Sequence, residues 1–185
     1  MKITLDTNCL INLFDHNSKT ATSVECLERL VKAAFSGAAD LAITTHVRED
    51  LENDKNEDRK AALMRNLKLF PVVGCLFRFD VSRWDGGDYW ASPEDIALSE
   101  GLQKLLFPAL TSDQSDYKNK IHDLDHLIGH FKAKRDIFAT DDRGILKKRL
   151  DLNTSFGITA MTPNEALARI EDAVRAASIG TGLSI

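Results

Sequence analysis

Within seven residues, Lys2-Ile3-Thr4-Leu5-Asp6-Thr7-Asn8 passes from an apolar strand-like run to an acidic turn. A short buried strand that ends in a carboxylate is the pattern of a parallel sheet with its ligand crevice at the carboxyl edge. A second run of this type comes late, in Asp136-Ile137-Phe138-Ala139-Thr140-Asp141-Asp142. Acidic side chains that converge on one crevice repel one another. A hard divalent cation with oxygen ligands relieves that repulsion most directly.

Between these runs, apolar segments alternate with helical periodicity. Strands are expected at 2–5, 41–45, 72–79, 136–140 and 156–160. Helices are expected from Cys9 to Phe14, Thr22 to Phe35, His46 to Leu51, Ala61 to Leu69, Ser92 to Pro108, through Ile121–Phe131, over 143–150 and after Thr162. Ser92-Pro93-Glu94-Asp95 and Thr162-Pro163-Asn164-Glu165 carry helix-start signals, a capping residue followed by proline and acids. Residues 80–92, with Trp84, Asp85, Gly86, Gly87, Asp88, Tyr89 and Trp90, form a glycine-broken loop. The end from Ser178 onward is expected to fray. The alternation predicts an α/β fold: three layers, α/β/α, around a central, mostly parallel sheet. A single domain over 1–185 fits the length, with an insertion at 75–120.

The 43% hydrophobic content supplies a full core without disulfides. Cys9, Cys26 and Cys75 are odd in number and form no CxxC pair, which points to a reducing compartment and a cytoplasmic location. No apolar run reaches the length of a membrane span, so no membrane partner is expected. A net charge of −4 argues against indiscriminate nucleic-acid binding. It leaves room for a nuclease whose carboxylates are neutralised by cations. Basic residues including Lys132, Arg135, Arg143, Lys147 and Arg149 flank the late acidic turn. They read equally as a phosphate-holding patch or a solvated helix face.

Four positions are candidates for the acidic site: Asp6, Asp50 (or its neighbour Glu49), Asp125 and Asp142. Each also has a structural reading as a cap, a first-turn acid or a solvated surface residue. Their shared placement at one sheet edge gives them weight together. Two Mg²⁺ or Mn²⁺ ions about 4 Å apart in such a site clamp the attacking and leaving oxygens of a phosphodiester. His122, His126 and His130 fall at i, i+4 and i+8; they are expected to be helix-surface histidines rather than a zinc face. Trp84, Tyr89 and Trp90 either stack on unpaired bases or pin the loop to the core.

Ile3 to Asn8, Thr44 to Leu51, Asp125-His126-Leu127-Ile128, Ile137 to Asp142 and Thr159 to Glu165 together resemble the PIN-domain family, in its order of motifs. The resemblance spans both ends of the chain. It implies a compact α/β/α domain acting as a Mg²⁺- or Mn²⁺-dependent endoribonuclease, with RNA as substrate. Carried over by position, the acidic ligands are Asp6 with Asn8 as its polar helper, Asp50 with Glu49 as alternative, Asp125 with Asp123 close by, and Asp142 with Thr140 in support. Arg143 and Lys147 would contact the RNA. The family's toxin members have a shorter core than this chain, whose residues 75–120 depart from them. An antitoxin protein and a homodimer are the further assemblies that the resemblance raises. Two rivals stand beside it: a degenerate PIN-like module that binds RNA or protein without catalysis, and a haloacid-dehalogenase-type phosphatase. The phosphatase chemistry wants a carboxylate two residues after the first acid, and that position is Asn8.

Overall fold

The computed structural model describes residues 1–14, 22–79, 82, 84 and 86–181, with side chains to Ser178. Five strands, β1 (Lys2–Leu5), β2 (Asp40–Thr44), β3 (Val72–Val73), β4 (Ile137–Ala139) and β5 (Ala160–Met161), form one sheet in the order β3-β2-β1-β4-β5. Every pairing is parallel, with Ile3 opposite Leu41 on one side and Ile137 on the other. The chain therefore winds outward in one direction from β1 and then restarts at β4. The seam between β1 and β4 is the switch point at which doubly wound sheets open a crevice.

Parallel strands need crossovers, and helices supply them on both faces. On one face lie α1 (Thr7–Phe14), α2 (Val24–Phe35), α3 (His46–Glu52), α4 (Glu57–Asn66) and α9 (Pro163–Thr181). Their apolar side chains pack with Ile3, Leu5, Leu41, Ile43 and Ile137 in one core. On the other face lie α5 (Pro93–Leu106), α6 (Tyr117–Lys132), α7 (Arg143–Lys147) and α8 (Arg149–Phe156), around Phe138, Leu124, Leu127 and Ile128. The expected three-layer α/β/α architecture is present.

The alternation along each strand decides what α6 meets. Ile3, Leu5, Leu41 and Ile43 point into the first core, so Thr4 and Thr44 point to the face that α6 covers. The loop after β3 closes over α6 from the opposite side. A Cβ on Gly129 would lie 2.8 Å from the Gly74 carbonyl oxygen, so only glycine allows this approach. Helix α6 is consequently buried nearly all round, histidines included.

Several expected elements differ in extent. The strand at 72–79 is only Val72–Val73, because the chain then turns across α6 and makes a single bridge, Leu76 to Tyr89. The helix expected over 143–150 is two helices, α7 and α8, with Asp142 capping the first through the Ile145 N–H. The expected strand at 156–160 is displaced to Ala160–Met161, since Phe156 still belongs to α8 and Gly157, at φ 69°, ends that helix. Helix α9 runs to Thr181, and the rest of the end expected to fray, residues 182–185, lies outside the described residues, as does Asp85 of the predicted loop. No helix among the described residues is long and apolar enough to cross a membrane.

Candidate functional site

A cleft of about 390 Å³ opens at the carboxyl edge of the sheet and is lined by Asp6, Asp50, Asp123 and Asp142, with Thr7, Asn8 and Asn119 among its neutral walls. Asp6 follows β1 and Asp142 follows β4, so the two stand on either side of the switch point. Asp50 comes from α3 and Asp123 from α6. A larger apolar cavity, about 840 Å³, lies elsewhere, bounded by residues such as Leu13, Val31, Phe35 and Phe70. It holds none of these acids.

Asp6 is held in place from three directions. Its Oδ1 accepts the Thr7 N–H at 2.7 Å, and its Oδ2 accepts Asn8 Nδ2 at 2.6 Å and the Thr140 hydroxyl at 2.5 Å. The same Thr140 oxygen accepts the backbone N–H of Asp142 at 2.9 Å. Asn8 and Thr140, expected at the site, are thus braces for the acids. Burial raises the Asp6 pKa, and the nearby Asp50 adds to this; the field of His126 and the hydrogen bonds from Thr140 and Thr7 oppose it.

Asp142 uses Oδ1 to cap α7, accepting the Ile145 N–H at 2.8 Å. Its neighbour Asp141 turns away to the Thr22 hydroxyl and Asn12. Arg143 and Lys147 are exposed on α7 and do not line the cleft.

Asp125 does not join these acids. It is fully buried on another side of α6, where Arg78 makes a bidentate contact at 2.8–3.0 Å and also reaches Ser99. Burial raises the Asp125 carboxyl, and Arg78 works against that rise. The helical repeat explains the correction: residues two apart lie about 200° apart on a helix, so only one of Asp123 and Asp125 can face the cleft. That residue is Asp123. Its pKa is pushed up to about 8, by burial first and then by the fields of Asp6, Asp142 and Asp50, with His126 opposing. No hydrogen bond relieves Asp123 among the described residues.

Asp50 has the opposite character. Oδ1 accepts His122 Nδ1 at 2.5 Å, and Oδ2 accepts His126 Nε2 at 2.9 Å and the Thr7 hydroxyl at 2.6 Å. Burial alone would raise this acid, but the two imidazoles hold it far below the usual carboxylate range. His126 answers in kind. Burial disfavours its charge, yet hydrogen bonds to Asp50 and Cys75 and the fields of Asp50 and Asp6 lift it well above the ordinary histidine value. The Asp50 contact thus favours the charged form of an imidazole that lies directly behind the acidic cleft.

The histidines expected on the surface of α6 are all buried. His126 Nδ1 pairs with the Thr44 hydroxyl and His130 Nδ1 lies 2.9 Å from the Thr4 hydroxyl. The signal was present in the strands: threonines among isoleucines at inward positions require polar partners from the covering helix. Glu49 leaves the cleft to Asp50 and turns toward His46 and His122. In the loop, Tyr89 is partly buried with the Lys132 ammonium over its ring. Trp84 and Trp90 remain 77% and 66% exposed and pack with Phe77 and Phe79, so they do not pin the loop to the core.

Compared with known proteins, the chain matches no family model, and no curated protein or solved structure is significantly similar to it.

Proposed function

We propose that this protein is a Mg²⁺- or Mn²⁺-dependent endoribonuclease of PIN type, with Asp6, Asp123 and Asp142 as the cation-holding acids. The observation that carries the reading is the state of Asp123. A carboxyl with no hydrogen-bond partner among the described residues, its pKa pushed up to about 8 by burial first and then by the fields of Asp6 and Asp142, sits where positive charge is missing. The donor set is all hard oxygen, which fits magnesium or manganese. When bound, such an ion supplies an activated water and shields the phosphate charge.

The chain's own groups do the positioning. Thr7, Asn8 and Thr140 fix both oxygens of Asp6, and the Ile145 N–H fixes one oxygen of Asp142. Asp50 is already satisfied on both oxygens, so it acts by keeping His126 protonated beside the cleft. That imidazolium offsets part of the acidic field and favours a phosphate over a neutral substrate.

The saturation of Asp50 also favours a second reading, a domain that binds RNA without cutting it. Incubating the purified chain with single-stranded RNA and Mn²⁺, Mg²⁺ or a chelator separates the two. Cation-dependent cleavage that Asp6→Asn abolishes supports the ribonuclease. Binding without cleavage supports the module, and cleavage by Asp6→Asn at the wild-type rate overturns the proposal.

A further inference from the structure

Behind Asp50, on the side away from the cleft, three donors that the proposed reaction does not use face one another. His46 begins α3, Glu49 lies one turn later, and His122 comes from α6. Their donor atoms all lie within 4.8 Å of one another. His46 Nδ1 stands 3.3 Å from Glu49 Oε2, and His122 Nε2 stands 3.5 Å from the same oxygen. The imidazoles of His46 and His122 are 0% and 2% exposed, yet His46 Nδ1, His46 Nε2 and His122 Nε2 have no hydrogen-bond partner among the described residues.

Buried ring nitrogens left without partners cost free energy unless something else binds there. We infer that His46 Nδ1, Glu49 Oε2 and His122 Nε2 form a binding site for a single Zn²⁺ ion, distinct from the acidic cleft.

The spacing suits that ion. Zinc bonds of about 2.0–2.1 Å at tetrahedral angles place neighbouring donors about 3.3–3.4 Å apart. Two imidazole nitrogens and one carboxylate oxygen select zinc over magnesium, which prefers oxygen and retained water. The outer shell is also in place. His122 donates its other nitrogen to Asp50 Oδ1 at 2.5 Å, which fixes the tautomer with Nε2 open toward Glu49. His46 Nε2 faces Asp88 and Asp125, each at 3.7 Å. An alternative corner exists on that side, with His46, Cys75 and Asp88. It is the weaker one, because Asp88 Oδ1 is taken by the Thr45 hydroxyl and the Cys75 N–H.

The inference does not depend on the ribonuclease reading, and its test uses no RNA. The full chain, stripped with a chelator, is titrated with Zn²⁺ by calorimetry and with Co²⁺ by visible absorption. One tight equivalent that excess Mg²⁺ does not displace is expected, with ligand-field bands of low coordination number for Co²⁺. Glu49→Gln, which keeps size and fold, weakens Zn²⁺ by about tenfold or more, and His46→Gln does the same. Asp123→Asn and Cys75→Ser leave Zn²⁺ affinity within a small factor. Absence of Zn²⁺ binding by the folded wild type overturns the inference. So does binding that Asp123→Asn or Cys75→Ser removes while Glu49→Gln retains it. Thermal melts in chelator confirm that each variant is folded before titration.

Discussion

His126 Nε2 meets Asp50 Oδ2 at 2.9 Å, joining α6 to α3 directly behind the acidic cleft. Both oxygens of Asp50 are engaged by imidazoles from one helix, so α6 is locked to α3 at two successive turns.

Asp50→Asn removes the charge that raises the His126 pKa and breaks one of these two bonds. The substitution is expected to destabilise the fold by about 1.5–3 kcal/mol, the range for hydrogen bonds to charged groups. Urea denaturation of the two proteins measures it. A change below half a kilocalorie would show the clamp to be idle.

Asp123→Asn is expected to reduce cation-dependent RNA cleavage far more than Asp125→Asn, because only the first faces the cleft. Rates per folded molecule, with the folded fraction taken from circular dichroism, decide between them. For Asp125 the consequence is structural. Arg78→Met strands a buried carboxylate and should cost about 3–5 kcal/mol, again read by denaturant.

His130 gives a pH dependence with a definite sign. Burial first, and then Arg135, lower its pKa from 6.5 to about 3, with Asp136 opposing. The folded imidazole is neutral over that range while the unfolded one takes up a proton. The unfolded state therefore binds more protons, and this contribution to stability is full above 6.5 and is lost as pH falls toward 3. His130→Gln should lose less stability than wild type between about pH 7 and about pH 5. Equal losses in the two proteins would refute the assignment.

Gly129→Ala tests the close approach of the loop to α6. The added methyl would meet the Gly74 carbonyl oxygen at 2.8 Å and Cys75 Sγ at 3.3 Å. Overpacking of this kind is expected to cost about 1–3 kcal/mol. A calorimetric melting temperature equal to wild type would mean that the loop moves aside freely.

The acidic turns after β1 and β4 were legible because strand, turn and carboxylate are contiguous in each. The choice between Asp123 and Asp125 was not. It depends on the rotation of α6 about its own axis, which the loop over Gly129 and the threonines of β1 and β2 determine together. The buried histidines follow the same logic. Their spacing was visible, but a stripe at i, i+4 and i+8 looks alike on a wet face and on a polar seam. Position 49 shows a further limit. Glu49 and Asp50 are adjacent, and only the placement of α6 assigns one to the cleft and the other to the histidine pair behind it.

Asp6 and the backbone of Asp142 are joined through one hydroxyl, that of Thr140, which lies 134 positions from Asp6 along the chain. A nascent polypeptide carries the first acid 134 residues before this hydroxyl is made. Whatever chemistry the cleft performs is thereby withheld from every truncated product that stops short of β4.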